Sequence, residues 1–233
     1  MKLRLKLAVI SGSVWMAAAA HAVVLTPIAD TRILSYNANN NFGSDVITST
    51  YNNGTDNNQR ALYLFDYSSL AGQTVISAKL QLYGFPFFGS TASTSTYVYR
   101  PTAPWSELQT TWNQSVTGTP WAHPGGDFVG TTGMQELDPY FTLTGAQHGT
   151  GGNPDLYEFD VTSLVAGQVD GTWDNDGILL SGAVGNQLSF YTLDYNNTNW
   201  LPRMVIETST VPEPSVILTV VGLSACLLRR RKK

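Results

Sequence analysis

Short stretches in which apolar and polar residues alternate run through the middle of this chain. Residues 60–66 place Ala61, Tyr63 and Phe65 on one face and two leucines on the other. Successive side chains of a strand point to opposite faces of a sheet, so this period of two predicts a β-strand. Residues 75–83 repeat the pattern, with three apolar residues facing one way and Lys79, Gln81 and Tyr83 the other.

Five further short runs have the composition of strands, and turn-forming pairs such as Asn-Gly, Gly-Gly and Asp-Gly separate the segments. These runs are residues 97–100, 156–161, 177–180, 188–193 and 203–207. A sustained helical period is missing from the sequence, and residues 68–70 and 162–165 predict only single helical turns. We therefore predict an all-β fold, a jelly-roll-like antiparallel β-sandwich.

The first 22 residues have a different pattern, in which three positive charges precede an apolar run. The run ends on Ala20-His21-Ala22, with small residues where a signal peptidase requires them. It is shorter than the roughly 20 residues that span a bilayer, which disfavours an uncleaved anchor. We predict that residues 1–22 form a signal peptide that is cleaved after Ala22.

Residues 211–233 contain three parts in a fixed order: a Pro-Glu-Pro motif, an apolar run over residues 216–228 and five terminal cations. The motif and the first cations are Pro212, Glu213, Pro214, Arg229, Arg230 and Arg231. Cations that flank an apolar segment stay on the cytoplasmic side of a membrane. The pattern therefore predicts a short hydrophobic helix that holds the C-terminus in the inner membrane.

This three-part order resembles the PEP-CTERM sorting signal. The resemblance implies an exosortase, a membrane protease-transpeptidase that cuts near Pro-Glu-Pro, as a processing partner beside signal peptidase. It also implies export to the cell envelope, the cell surface or the extracellular matrix of a host that makes extracellular polysaccharide. A plain single-span anchor would give the same topology.

Without the two ends, residues 23–210 suit a single domain with a sizeable core. This part has five cations against 16 carboxylates, which leaves a formal charge of −11. Such a surface repels nucleic acid and polyanionic glycans and favours neutral or cationic partners, or divalent cations. The single cysteine, Cys226, lies in the tail, and the two histidines, His123 and His148, offer little material for a zinc site or a nucleophile–histidine pair.

The order of the strands and of several short motifs resembles the DNRLRE-type domain, a β-sandwich module grouped with carbohydrate-binding modules. The matching segments are residues 29–31, 39–43, 60–70, 77–83, 105–113, 159–162, 177–180 and 202–206. The resemblance implies a β-sandwich that binds carbohydrate. Two segments depart from the family pattern: the apolar residues 85–88 and the long, glycine-rich residues 121–152.

Exposed aromatic rings are the side chains that stack on the apolar face of a sugar. The candidates in loop-like segments are Trp121 with His123, and Tyr195 with Trp200. A structural role as loop anchors is the alternative for each of them. Trp105 and Trp112 belong to the motifs shared with the family, and we interpret both as structural.

Carboxylates are numerous enough to raise the hypothesis of a glycosidase-like pair, with Glu107 as its best candidate. A hydrogen bond from Glu107 to loop backbone is the favoured alternative. Asp66 and Asp160 each precede a Ser or Thr in a Phe-Asp pattern, which predicts that they cap short turns.

We predict no cofactor, with one question left open, that of a structural calcium ion. Asp30 and Glu207, in the first and last strands, are conceivable ligands for it. Residues 173–177 have the composition of a calcium loop, but Gly185 stands where an EF-hand requires Glu, so we interpret them as a turn.

The sequence thus favours an exported, surface- or matrix-associated, non-catalytic module that binds polysaccharide. A purely structural or adhesive envelope protein is the alternative, and a polysaccharide lyase or hydrolase is a third hypothesis.

Overall fold

The structure is a computed structural model that describes residues 20–86, 95–144 and 154–210. Most of the predicted signal peptide lies outside the described residues, and so does His148. The predicted sorting signal, with Pro212, Glu213, Pro214, Arg229, Arg230 and Arg231, also lies outside them.

The described residues form fourteen β-strands and one α-helix. The first seven strands are β1 (Ala20–Leu25), β2 (Ala29–Leu34), β3 (Ile47–Asn52), β4 (Asn58–Leu64), β5 (Gln73–Pro86), β6 (Ser95–Pro101) and β7 (Gln114–Val116). The others are β8 (Thr119–Pro120), β9 (Phe128–Val129), β10 (Phe141–Thr144), β11 (Asp155–Asp160), β12 (Ile178–Gly182), β13 (Gln187–Tyr191) and β14 (Arg203–Thr210), with α1 (Thr162–Val169) between β11 and β12. Single 3₁₀ turns occupy Ser35–Asn37, Ser68–Leu70 and Thr198–Trp200.

Antiparallel ladders join the strands in the order β1-β14-β5-β13-β3-β4-β12-β6-β10. Three strands branch from this path, since β11 pairs with β5, β2 with β4 and β9 with β6. The long strand β5 pairs with β14 over most of its length and with β13 at its end. This architecture is the mostly antiparallel, all-β sandwich that the alternating pattern predicts.

The main hydrophobic core is formed by buried apolar side chains from most of the strands and from α1. Ala61 and Tyr63 of β4, and Phe65 directly after it, belong to this core with Leu80 and Leu82 of β5, as the period of two predicts. The side chains that alternate with these on β5 are exposed or half-buried. The alternation in the sequence therefore identified the core face of both strands correctly.

The helix α1 is longer than the single turn predicted at residues 162–165. Its buried Leu164 and Val165 belong to the main core, and Val169 in its second turn packs against that core. Gly167 lies against the indole of Trp173, and a Cβ there would come within 2.3 Å of that ring. Among the described residues, no helix is both long and apolar enough to cross a membrane.

A second hydrophobic cluster covers the opposite face of β4, where Leu62 points away from the main core. Ile33, Tyr99 and Leu179 from neighbouring strands share this face. Trp105, Trp121 and Phe128 cover the face from the connection between β6 and β10. This packing explains why that connection is long, because it forms an additional layer on the sheet.

Arg60, on β4, binds the connection between β6 and β10 that covers this face. Its guanidinium lies 4.9 Å from the ring centroid of Trp112 and 4.7 Å from that of Phe128. Nη1 donates a hydrogen bond to the Gly125 carbonyl at 2.7 Å, and Nη2 forms an ion pair with Glu136. Gly125 has φ +96°, and a Cβ there would lie 2.3 Å from Arg60 Nη1, so the close approach requires glycine.

Strand β1 crosses the predicted signal-peptide cleavage site. Its pairing with β14 places Ala20 opposite Ser209 and Ala22 opposite Glu207. The site after Ala22 is therefore part of a ladder in the folded chain.

Candidate ligand-binding groove

Three aromatic side chains that follow one another along the chain stack together. The Tyr191 and Tyr195 ring centroids are 3.8 Å apart, and their planes differ by 27°. Trp200 lies 5.5 Å from Tyr191 and 5.9 Å from Tyr195, with planes within 19° and 16° of theirs. We call Tyr191, Tyr195 and Trp200 the aromatic cluster; each of its rings is half-buried.

Local backbone structure brings the cluster together. Tyr191 is the last residue of β13. In the turn that follows, the Tyr195 N–H donates a hydrogen bond to the Thr192 carbonyl, and this turn places the Tyr195 ring against that of Tyr191. The Asn197 side chain then accepts a hydrogen bond from the Asn199 N–H at 3.1 Å and starts the 3₁₀ turn that carries Trp200. Burial and a hydrogen bond with the Tyr195 side chain raise the pKa of the Tyr191 hydroxyl.

A groove of about 300 Å³ lies next to the cluster on the outer face of β13 and β3. It is lined by Arg32, Asp45, Val46, Ile47, Ser49, Phe85, Gln187 and Ser189. The Phe85 ring lies 5.8 Å from Tyr191 at 62°, so it belongs to the groove and also contacts the cluster. Because Gln187, Ser189 and Tyr191 alternate with core residues along β13, cluster and groove share one face of the sheet.

The groove combines polar groups with an apolar ring. Arg32 Nη2 donates to Asp45 Oδ2 at 2.6 Å, and the Arg32 guanidinium lies 5.3 Å from the Phe42 ring. Arg32 Nε is buried without a hydrogen-bond partner. Ser49 and Ser189, which pair across the β3–β13 ladder, also line the groove, and the buried Ser49 hydroxyl donates a hydrogen bond to Gln59 Oε1. Aromatic rings beside hydrogen-bonding side chains are the components that hold a sugar ring.

The predicted pair Trp121 and His123 does not form a stacking site. Trp121 is only 4% exposed and lies in the second hydrophobic cluster, where its indole N–H donates to the Thr111 carbonyl at 2.9 Å. Its ring is needed to cover the sheet, so neither face is free for a ligand. His123 is exposed, with Nδ1 3.3 Å from Asp127 Oδ1.

A second cavity, of about 400 Å³, lies beside His123. The Asp127 carboxylate there accepts hydrogen bonds from the backbone N–H groups of Ala122 and His123, at 2.9 and 2.8 Å. The aromatic residue in its wall, Phe128, is only 1% exposed. This cavity therefore offers a loop-stabilising carboxylate but no open ring.

Two carboxyl groups, those of Glu107 and Asp194, lie within electrostatic range of Asp30 near the turn that leads to Tyr195. Asp30 Oδ2 accepts a hydrogen bond from the Leu193 N–H, and the Asp30 N–H donates to Glu107 Oε1, both at 2.9 Å. Burial raises the pKa of Asp30 to about 7, and the charges of Glu107 and Asp194 contribute to that rise. We call Asp30, Glu107 and Asp194 the acidic group.

The structure does not pair Asp30 with Glu207, the partner considered from the sequence. Glu207 alternates with buried Ile206 and Thr208 on β14, so its side chain points outward, where it accepts a hydrogen bond from the Ser77 hydroxyl at 3.2 Å. Asp30 lies on β2, which does not neighbour β14. In the described ranges, no group of three or more His, Cys, Asp and Glu side chains is arranged to hold a metal ion by itself.

Residues 37–206 match the model of a family described as the disaggregatase related repeat domain. The chain belongs to this family. No curated protein matches the chain.

The matched part of this disaggregatase-related repeat runs from the end of the first 3₁₀ turn into β14. It contains the whole aromatic cluster, most of the groove, Glu107 and Asp194. Asp30 and Arg32 precede it. The sorting-signal resemblance concerns residues beyond it, and the family description differs from the DNRLRE resemblance drawn from the motifs.

The remaining candidates of the disaggregatase-related repeat have structural contacts. Asp66 Oδ1 accepts from the Ser68 N–H at 2.8 Å, and Asp160 Oδ1 accepts from the Thr162 N–H at 3.0 Å, so the predicted capping is confirmed. Trp105 is 8% exposed and donates to the Asp176 carbonyl at 2.9 Å.

Sequence reasoning missed most of the groove. Tyr191 was included only in a predicted strand, although its period-two spacing from Ser189 and Gln187 would have placed all three on one face. Phe85 belonged to a segment singled out as unusually apolar, without a role. Arg32 and Asp45 carried no local signal, because only the tertiary fold brings them to β13.

Proposed function

We propose that this disaggregatase-related repeat is an exported, non-catalytic module that binds polysaccharide in the groove beside the aromatic cluster. The observation that carries the proposal is that three stacked rings lie beside a groove lined by both polar and apolar side chains. A sugar ring has an apolar C–H face and a polar rim. An aromatic ring and nearby hydrogen-bonding side chains satisfy both at once.

The charges favour a neutral glycan as the ligand. The cation in the groove, Arg32, is already paired with Asp45. The surrounding domain carries a formal charge of −11 between residues 23 and 210, which repels a polyanion.

A non-catalytic role is favoured by the positions of the Asp30 and Glu107 carboxyl groups. Asp30 is 1% exposed, so a polymer could not reach its carboxyl. Glu107 Oε1 accepts a hydrogen bond from the Asp30 backbone, which matches the structural interpretation of this residue. Export, cleavage by signal peptidase, sorting by an exosortase and a jelly-roll topology complete the proposal. They depend on the sequence patterns at the two ends and on the motif resemblances.

Affinity electrophoresis and isothermal titration of the purified chain against a panel of neutral and acidic glycans test the proposal. We expect binding to at least one neutral glycan, and a loss of about tenfold or more in affinity for Trp200→Ala and for Tyr195→Ala. This expectation follows from the 1–3 kcal/mol that a well-packed aromatic contact contributes to binding. Tyr36→Ala is the matched control, since Tyr36 is 54% exposed and does not belong to the cluster or to the groove lining.

The outcomes separate the proposal from its alternative. Binding that is unchanged by both cluster variants would place the glycan elsewhere, and a complete lack of binding across the panel would remove the lectin function. A structural or adhesive role would then remain. Strand β1 pairs only with β14 in the described part of the chain, so its outer edge is available for another strand. Concentration-dependent assembly without sugar, measured by light scattering, would favour that role.

A further inference from the structure

The carboxyl groups of the acidic group have no cationic side chain paired with them in the described residues. Within the described ranges, none of Asp30, Glu107 and Asp194 forms an ion pair with Lys, Arg or His. Glu107 and Asp194 nevertheless lie close enough to interact electrostatically with Asp30. Arg32, two residues from Asp30 on the same strand, pairs with Asp45 instead.

A buried oxygen in this group also has no partner. Asp30 is 1% exposed, and its Oδ2 is used by the Leu193 N–H. The other oxygen, Oδ1, is fully buried and makes no hydrogen bond. Buried polar atoms are nearly always satisfied in folded proteins, because an unsatisfied one costs about 1–3 kcal/mol or more in other systems. Oδ1 therefore requires a ligand or a proton.

We propose that Asp30 and Glu107 bind a divalent cation, with calcium as the best match, and that the charge of Asp194 strengthens its binding. All the donor atoms are oxygens, which calcium prefers. Since the described side chains do not supply three ligands on their own, the remaining ligands are backbone carbonyls and water, as is common for calcium. Magnesium is disfavoured because it demands a near-ideal octahedron and gives up its water reluctantly.

This cation would act on the turn that carries the aromatic cluster. The Leu193 N–H is bound to Asp30, and Asp194 immediately precedes Tyr195. A cation that fixes Asp30 and attracts Asp194 therefore holds the start of this turn against β2. The effect on glycan binding rests on the proposed function, whereas cation binding itself does not.

Calcium titration of the metal-free, full-length chain tests the site by calorimetry and by thermal unfolding. At calcium concentrations a hundredfold above the Kd, we expect Tm to rise by about 5 °C or more. Asp30→Asn and Glu107→Gln should abolish the heat and the Tm shift. Asp194→Asn should weaken binding severalfold, because it removes a charge and no ligand.

Glu207→Gln is the matched control, and it should respond to calcium as the unaltered chain does. Neither heat nor a Tm shift with calcium would overturn the proposal, as would a full response in both Asp30→Asn and Glu107→Gln. Loss of the response in Glu207→Gln alone would support the pairing considered from the sequence and overturn the site proposed here. Should Asp30→Asn fail to fold, Glu107→Gln and Asp194→Asn decide the outcome.

Glycan affinity measured with calcium and with a chelator tests the coupling. We expect affinity to fall severalfold in the chelator, and Glu107→Gln to show the lower affinity under both conditions. Equal affinity with and without calcium would overturn the coupling and leave the cation site intact. If no glycan binds at all, the proposed function fails while the calcium titration still decides the site.

Discussion

At the scale of single residues, two tryptophans in similar loop-like surroundings have opposite roles. Trp121 is 4% exposed and has a buried hydrogen bond, whereas Trp200 is half-buried and stacks at the edge of a groove. The difference comes from the sheet face below each ring. The face under Trp121 is apolar and must be covered, while the face beside the cluster carries both polar and apolar side chains.

Trp121→Ala should destabilise the fold by about 3–5 kcal/mol, since it opens a cavity in the second cluster and leaves the Thr111 carbonyl unpaired. Trp200→Ala should cost about 1 kcal/mol, because its ring is half-buried. Urea unfolding followed by circular dichroism measures both. Equal losses would contradict the division into a structural and a ligand-binding tryptophan.

Asp30 should make stability depend on pH in metal-free buffer. Its pKa is raised from 3.8 to about 7 by burial first, so the folded chain keeps a proton that the unfolded chain loses. Stability should therefore fall as the pH rises from about 4 to about 7, by about 1.4 kcal/mol for each pKa unit.

Urea unfolding in EDTA at several pH values measures this slope. The Asp30→Asn variant should have a flatter profile, and calcium should restore stability to the unaltered chain at neutral pH. Parallel profiles for the two proteins would show that Asp30 is not the group responsible.

At the scale of elements, alternation along the strands predicted the sheet and its core face, but not what covers the other face. Leu62 was recognised as pointing away from Phe65, yet nothing in the sequence showed that Trp105, Trp121 and Phe128 would return over it. That return depends on contacts between residues far apart in the chain. The second turn of α1 was missed for a related reason, because it depends on packing against β5 and Trp173.

The Arg60 contacts should be required to hold the connection between β6 and β10 against the sheet. Arg60→Met keeps the length of the side chain but removes the hydrogen bond to Gly125, the ion pair and the contacts with two aromatic rings. We expect a loss of about 2–4 kcal/mol in the free energy of unfolding, since hydrogen bonds from charged groups contribute most when buried.

Glu136→Gln is the control for the ion pair alone. The Glu136 side chain is 59% exposed, so its loss should cost well under about 1 kcal/mol. Chemical unfolding and hydrogen exchange of residues 102–140 measure both effects. An Arg60→Met chain as stable as the Glu136→Gln chain would show that the connection is held by its apolar contacts alone.

The candidate site was predicted in part, and the reason is distance along the chain. Tyr195 and Trp200 are five residues apart, and their pairing followed from local sequence. The groove needs Arg32 and Asp45, which only the sheet order brings to β13. Asp30 was identified as a candidate ligand, but its neighbours Glu107 and Asp194 could not be found without the fold.

At the scale of the whole molecule, the first and last strands close the fold together. Val23 and Leu25 of β1 pack against the main core, and β14 lies between β1 and β5. One edge of the sheet is therefore built from the first and the last strands of the domain, and its stability depends on both.

A chain that begins at Thr26 should lose about 2 kcal/mol of stability relative to one that begins at Val23, because Val23 and Leu25 no longer cover the core. A chain that begins at Ala20 should match the one that begins at Val23 to within about 1 kcal/mol. Thermal unfolding of the three chains checks this order. Equal stability of all three would show that β1 contributes little to the core.

The pairing of β1 with β14 also has a consequence for the export and the cleavage after Ala22 that the sequence predicts. A peptidase binds its substrate as an extended, unpaired segment, but the bond after Ala22 lies within a ladder once Glu207 arrives opposite it. Translation supplies β14 last of all the strands, so the first strand has no partner until almost the entire chain has been made. If the predicted cleavage takes place, it therefore has the period of synthesis in which to act, and completion of the fold closes that interval.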